Sequence, residues 1–368
     1  MNSKQLIRNL LIKQPTDRMG YRDTIWSETY QKWRAQGYMQ KKNELTGEME
    51  DVSFEDWFHS DMYESWVIKP EPILGFREII ETNDKWTISK DGYGAVFKRW
   101  NHQTGTPEHI DFEMTDMSVW ESKYKPHVMD FNSNRINLAS TKNFLTNFEQ
   151  KQKFAGYGSL CIWELLRTSL GDIQLFMSLL DDPEWIMDFN RTYTDFFKTY
   201  YTYVFEKCGL PDGIWFYDDL AYNKGPFCSP DIIKEFFVPF YRELTDFLHS
   251  YDIPVILHSC GNVESVLPLV VESGFDALNP MEVKAGCDVV RFAEKYGDKL
   301  SFFGGFDVRI LENGDKAAIK KEVIRICDTM RKLNVGYSFG TDHSVTPNVE
   351  YESYQYALDV FKDNCYYA

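Results

Sequence analysis

From about residue 154 onward, short apolar segments alternate with longer segments whose apolar residues recur at helical spacing. The clearest helix is predicted from Ser229 through His249, because a serine N-cap is followed by a proline and then by an acid. Two more helices are predicted near 316–333 and 351–362. Buried strands are predicted near 153–160, 213–217, 254–257, 277–279, 300–303 and 336–339. Strands that alternate with helices form a parallel sheet, and this number of units favours an α/β fold with a closed (β/α)8 TIM barrel.

The chain before this repeat follows a different pattern. Residues 1–70 predict a helical lead-in, with serine caps and apolar residues at helical spacing. In residues 71–115, apolar and polar residues alternate as in strands on both sides of an Asp-Gly turn at residue 91, and a second turn is predicted at 101–105. We therefore expect an N-terminal helical extension and a small inserted antiparallel sheet, both part of one domain that spans residues 1–368.

Composition and charge narrow the class of protein. The formal net charge of −16 argues against nucleic acid and anionic membranes as partners, since both require clustered Lys and Arg. No apolar run approaches the roughly 20 residues of a membrane span, and the N-terminus lacks the apolar core of a signal peptide. Seven scattered cysteines fit a reducing compartment. The sequence thus predicts a cytoplasmic protein, with no nucleic-acid or membrane partner.

A pair of metal-binding residue types follows the apolar segment at 254–257. His258 and Cys260 are two residues apart, and in an extended backbone such residues point to the same side. Imidazole and thiolate are ligands that zinc accepts. His343, in a turn near the carboxyl terminus, is the predicted third ligand. The alternative interpretation is a buried thiol beside a hydrogen-bonded histidine.

Other polar residues also follow predicted strands, where the chemistry of a barrel of this kind lies. The predicted catalytic groups, each a resting metal ligand or proton donor, are Asp218, Asp219 and Glu282. The first two have the alternative role of capping the next loop, and Asp342 is expected to orient His343. The predicted substrate-binding residues are Arg22, Trp26, Tyr217 and Asp307. For the N-terminal aromatic residues, packing over the barrel is the alternative.

Four segments of the sequence resemble the uroporphyrinogen decarboxylase superfamily. They are 212–220, 229–241, the run His258-Ser-Cys260-Gly-Asn, and Gly304-Gly-Phe-Asp307. The resemblance is best over residues 150–365 and implies a (β/α)8 barrel. The superfamily includes decarboxylases of porphyrin biosynthesis, as well as zinc-dependent methyltransferases that work with corrinoid proteins.

The two branches differ in residues that this sequence can be compared with. The methyltransferase branch is similar in His258-x-Cys260, which implies two zinc ligands. Its third ligand is a cysteine in a Gly-Cys-Gly turn, where this chain has Gly340-Thr-Asp-His343. The decarboxylase branch implies an arginine-rich N-terminal segment, and this chain has only Arg22 and Arg18 in that region.

The first hypothesis is therefore a zinc-dependent methyltransferase. It would move a methyl group between a small methylated compound or thiol and a corrinoid protein. The second hypothesis is a uroporphyrinogen decarboxylase that acts without metal. The third is a non-catalytic binding protein on the same barrel.

Overall fold

The computed structural model describes residues 1–102 and 107–367. The N-terminal part contains both helices and short strands. Its elements are α1 (Ser3–Leu11), β1 (Gly20–Tyr21), α2 (Ser27–Ala35), β2 (Gln40–Lys42), β3 (Met49–Asp51), α3 (Phe54–Trp57) and β4 (Met62–Trp66). Two of these strands, β1 and β4, belong to the main sheet. Residues 1–70 are therefore not only the expected helical lead-in, because they also supply two strands of the main sheet. β1 has only two residues, and the β4 sequence Met-Tyr-Glu-Ser-Trp has no apolar run, so neither produces a strand signal.

A four-stranded antiparallel sheet follows, as predicted. Its strands, in the order of the chain and of the sheet, are β5 (Arg77–Thr82), β6 (Trp86–Asp91), β7 (Ala95–Trp100) and β8 (Glu108–Phe112). The chain between β6 and β7 turns at the expected Asp-Gly position, where Gly94 N donates to Asp91 O. The predicted turn at 101–105 lies largely outside the described residues.

Short helices connect this sheet to the barrel repeat. They are α4 (Met117–Val119), a single π-helical turn at Trp120–Tyr124, α5 (Lys125–Met129), a 3-10 turn at Ser133–Arg135 and α6 (Leu138–Gln150). The repeat then begins with β9 (Phe154–Leu160), α7 (Ile162–Asp181), α8 (Pro183–Cys208), β10 (Gly213–Tyr217) and the small hairpin β11 (Ala221–Tyr222) and β12 (Gly225–Pro226).

The remaining elements continue the repeat to the carboxyl terminus. They are α9 (Pro230–Phe236), α10 (Val238–His249), β13 (Val255–Ser259), α11 (Leu267–Glu272), β14 (Ala277–Pro280), α12 (Val289–Tyr296), β15 (Ser301–Phe303), α13 (Val308–Asn313), α14 (Lys316–Leu333), β16 (Tyr337–Phe339) and α15 (Tyr351–Asn364). The helix predicted from Ser229 through His249 is divided at Phe237, because Pro239 has no amide hydrogen to continue the helical hydrogen bonds.

The main sheet has eight strands that pair in parallel, in the order β1-β16-β15-β14-β13-β10-β9-β4. Its two outer strands are linked, since Asp61 N donates to Tyr21 O and Tyr21 N donates to the Asp61 carboxylate, both at 2.9 Å. The sheet therefore curls into the predicted (β/α)8 barrel. None of the helices in the described residues is long and apolar enough to cross a membrane.

The barrel interior is closed at one end and open at the other. Helix α1 buries Leu6, Ile7 and Leu10 against the strand side chains that fill the interior. These strand residues are Met62, Phe154, Trp215, Ile256, Ala277 and Phe303. Because α1 covers the amino-terminal ends of the strands, the carboxyl-terminal ends remain as the place for a site.

Candidate metal centre at the barrel mouth

His258 and Cys260 lie together at the end of β13, as their spacing predicted. Ile256 packs inside the barrel, and the alternation of the strand directs His258 and Cys260 to the same side above it. Cys260 Sγ is 3.4 Å from His258 Nε2. Asp219, two residues after β10, brings a carboxylate oxygen to 3.9 Å from the same nitrogen. The ligand atoms of Asp219, His258 and Cys260 all lie within 4.8 Å of one another, so these three residues form a possible metal site, which we call the metal cluster.

The loop that carries Cys260 is held by hydrogen bonds from the neighbouring strand ends. Asp219 accepts from Cys260 N at 2.8 Å, and Glu282 accepts from Gly261 N at 2.9 Å. On the opposite face of the strand, Ser259 Oγ accepts from Leu220 N at 2.9 Å. Glu282 therefore supports the loop through a backbone contact, while Asp219 both supports the loop and belongs to the metal cluster.

Burial and charge set the protonation of the cluster. Burial lowers the pKa of His258. Burial also raises the pKa of the Cys260 thiol, and the carboxylates of Asp219 and Glu282 raise it further. The cluster therefore contains a neutral imidazole and a protonated thiol beside carboxylates, and none of its three side chains carries a positive charge. The chemistry of this donor set therefore fits a metal ion that would displace the thiol proton.

The cluster opens onto a cavity of about 320 Å³ at the barrel mouth. Tyr217 stacks on Trp66 with ring centroids 5.0 Å apart and lies 4.8 Å from the His258 ring. The cavity is lined by Arg22, Asp23, Thr24, Trp66, Tyr217, His258, Cys260, Asn279, Pro280, Thr341, His343 and Ser344. Aromatic and polar side chains thus share the wall, and the volume suits a small molecule.

Arg22, which was predicted to bind substrate, is part of a buried polar group in this cavity. Its guanidinium forms an ion pair with Glu64 at 3.2 Å and lies over the Trp215 ring at 4.2 Å. Tyr217 also donates its hydroxyl to Glu64, at 2.8 Å. Because Glu64 balances the charge of Arg22, this side of the cavity has no uncompensated positive charge.

His343, the predicted third ligand, lies in the same cavity but outside the metal cluster. Its ring stacks on Trp26, with centroids 6.2 Å apart and an interplanar angle of 13°. Asp342, which we expected to orient His343, instead accepts from Val283 N and Val308 N, both at 2.8 Å. In this structure the third residue of the metal cluster is Asp219, and not the predicted His343.

Two other predicted site residues have structural contacts instead. Asp218 is fully buried, accepts from Glu164 N at 2.7 Å at the start of α7, and accepts from the Tyr241 hydroxyl at 2.5 Å. Asp307 caps α13 and forms an ion pair with Arg309 at 2.8 Å. Alternation along the chain turns Asp218 away from the cavity, and its contacts agree with the alternative capping role. The Asp307 carboxylate is paired with Arg309, so substrate binding by Asp307 remains only a prediction.

The uroporphyrinogen decarboxylase (URO-D) family profile matches residues 169–363, just over half of the chain. This chain belongs to the uroporphyrinogen decarboxylase family. The matched part contains the whole metal cluster, whereas Arg22, Trp26 and Glu64 lie before it. The sequence resemblance is thereby confirmed.

Comparison with solved structures supports the fold of this uroporphyrinogen decarboxylase family member. A methyltransferase from Methanosarcina mazei is similar over 99% of both chains, with a TM-score of 0.64 and 14% sequence identity. The YdjI aldolase from Escherichia coli K12 matches 67% of this chain and 93% of its own, with 11% identity and a TM-score of only 0.21. No curated protein sequence matches the chain significantly.

Sequence reasoning missed two residues of the site in this family member. Asn279 pairs in register with His258 on the neighbouring strand and contacts its ring. Asn279 is a polar residue at the end of a predicted strand, and this position could have indicated that it belongs to the site. Glu64 lies in β4, which gave no strand signal, so nothing in the sequence placed it beside Arg22.

Proposed function

We propose that this chain is a zinc-dependent methyltransferase. It would move a methyl group between a small methylated compound or thiol and a corrinoid protein. The observation that carries the proposal is the metal cluster of Asp219, His258 and Cys260 at the mouth of a cavity of small-molecule size. Membership of an enzyme family and a barrel similar to that of a methyltransferase agree with it.

The dimensions of the cluster support zinc. Ligand atoms about 2.0–2.3 Å from a tetrahedral zinc ion are about 3.3–3.6 Å apart. His258 Nε2 is 3.4 Å from Cys260 Sγ and 3.9 Å from the Asp219 oxygen, so small side-chain movements would complete the site. Three protein ligands leave a fourth position open, which is typical of catalytic zinc.

When bound, zinc would supply a Lewis acid that lowers the pKa of a thiol or polarises the heteroatom that carries the methyl group. His258 and Cys260 would hold the ion at the end of β13. Asp219 has 36% of its side chain accessible, against 21% for His258. Its carboxylate would accept the proton that a thiol substrate loses on entering the open position.

The cavity lining also supports the proposal of methyl transfer over uroporphyrinogen decarboxylation. A substrate with many carboxylates needs several arginines, and the described lining contains only Arg22, whose charge Glu64 balances. The aromatic wall of Trp66 and Tyr217 suits a small uncharged or singly charged compound instead.

The test combines zinc content with methyl transfer. Wild-type protein should bind one zinc, and the zinc-loaded form should accelerate the loss of the cobalt–methyl absorbance of methylcobalamin in the presence of 2-mercaptoethanol. Cys260→Ala removes the only sulfur of the cluster, so zinc affinity should fall by about 10³-fold or more and the acceleration should disappear. These outcomes are measured by chelator competition and by anaerobic spectrophotometry.

Cys208→Ala is the matched control, because Cys208 lies at the end of α8, before β10 begins, whereas the metal cluster lies beyond the opposite end of β10. The Cys208 thiol is half-buried and donates to Leu138 O. The Cys208→Ala variant should bind zinc and react as the wild type does. Full zinc retention by Cys260→Ala would contradict the site. Normal zinc binding without any acceleration, over a series of small thiols, would contradict the thiol reaction.

A further inference from the structure

The side chain next to His258 on the neighbouring strand has a fixed orientation. Asn279 is buried, with 6% of its surface exposed, and its register places it directly beside His258. Its amide nitrogen Nδ2 donates to Phe303 O at 2.7 Å, and its Oδ1 lies 2.5 Å from His258 Nδ1. Each polar atom of the amide therefore has a partner.

The contact with Phe303 decides which way the amide points. If the amide were rotated by half a turn, Oδ1 would face the carbonyl oxygen of Phe303 at about the same 2.7 Å, and two buried acceptors would repel each other. The carbonyl oxygen of Asn279 must therefore face the imidazole. An acceptor in that position requires a hydrogen on His258 Nδ1.

A neutral imidazole with its hydrogen on Nδ1 has its lone pair on Nε2. In this structure Nε2 is the nitrogen that faces the cluster, 3.4 Å from Cys260 Sγ and 3.9 Å from the Asp219 oxygen. The opposite tautomer would direct a hydrogen at the place where a cation would sit. The hydrogen bond to Asn279 thus selects the form of the ring that can bind a metal.

We propose that Asn279 is a positioning residue that holds the His258 ring in the Nδ1–H tautomer and so directs the Nε2 lone pair into the metal cluster. The consequence for metal affinity rests on the zinc site proposed above. The tautomer itself depends only on the contacts of Asn279, so it can be tested without zinc.

The direct test is nitrogen NMR of the zinc-free protein labelled with 15N-histidine. The His258 signals, identified by their loss in His258→Gln, should show a protonated Nδ1 and an unprotonated Nε2. In Asn279→Leu, which has a similar volume and no acceptor, this pattern should change to a mixture of tautomers. A wild-type ring protonated on Nε2 would overturn the proposal.

Zinc affinity gives a second readout that separates positioning from simple support of the fold. Asn279→Leu should weaken zinc binding by about 10–100-fold. Asn279→Asp keeps an acceptor towards Nδ1 but loses the donor to Phe303, so its zinc affinity should stay within a few-fold of wild type. If Asn279 served only to satisfy Phe303 O, the two variants would lose affinity equally, and the proposal would fall.

Asn190→Ala is the matched control. Asn190 is also a buried asparagine that donates to a backbone carbonyl, Phe236 O at 2.7 Å, but it lies on α8. This variant should lose stability with unchanged zinc affinity and an unchanged His258 spectrum. If the wild type showed the Nδ1–H tautomer yet bound no zinc, the proposed function would fail while the tautomer assignment would be supported.

Discussion

At the scale of single residues, Asp218 and Asp219 show how one step along a strand end changes the role of a carboxylate. Tyr217 lines the cavity and Asp219 belongs to the metal cluster, while Asp218 between them faces the start of α7. The opposite directions follow from the alternation of extended backbone. The sequence placed both acids at the rim but gave no reason to separate them, because the capping role depends on α7 and on the Tyr241 hydroxyl.

The two neighbours should therefore respond in opposite ways to the same substitution. Asp218→Ala leaves Glu164 N and the Tyr241 hydroxyl without their acceptor, so it should lower the free energy of unfolding by about 1–3 kcal/mol and leave the zinc content intact. Asp219→Ala should do the reverse, with a small stability change and a large loss of zinc. Urea unfolding and metal analysis of both variants provide the comparison. Loss of zinc in a stable Asp218→Ala variant would return that residue to the site.

At the scale of elements, the loop after β13 determines whether the cluster forms. Gly261 follows Cys260 with φ of +78°, and its N–H donates to Glu282. A Cβ atom at this position would lie 2.5 Å from backbone atoms of Ala221 and 2.7 Å from Tyr222 N. The loop of β13 therefore packs directly on the hairpin that follows Asp219, which brings the ligands of two strands together.

Gly261→Ala should push these two segments apart. We expect a loss of zinc affinity of at least about 10-fold, together with a stability loss larger than the roughly 1–2 kcal/mol that a left-handed alanine costs. Gly37→Ala isolates that backbone cost, since Gly37 has φ of +94° and no atom within 4 Å of an added Cβ. It should keep normal zinc binding. Equal behaviour of the two variants would show that the contact with residues 221–222 is unimportant.

At the scale of the whole molecule, the sequence predicted the later part of the barrel better than the beginning. The barrel strands β9, β10, β13, β14, β15 and β16 are short and apolar and are separated by helices, so their positions were predicted closely. β1 and β4 complete the barrel through their partners, and their burial depends on α1 and on β16 and β9. A two-residue strand and a strand containing Glu64 have no local signal that could reveal this.

The same distinction applies to the site. His258 and Cys260 could be predicted because one strand sets their spacing. The choice between His343 and Asp219 as their partner could not be made from sequence, because it depends on how β10, β13 and the carboxyl-terminal turn are arranged around the mouth. His343 instead stacks on Trp26, a contact between distant parts of the chain.

X-ray absorption spectroscopy of the zinc-loaded wild-type protein tests the central claim most directly, because it counts the sulfur ligands of the bound ion. The metal cluster contains one cysteine, so the account predicts one zinc per chain with a single sulfur at about 2.3 Å and nitrogen or oxygen ligands at about 2.0–2.2 Å. A protein that binds no zinc, or a zinc ion with two or more sulfur ligands, would contradict it.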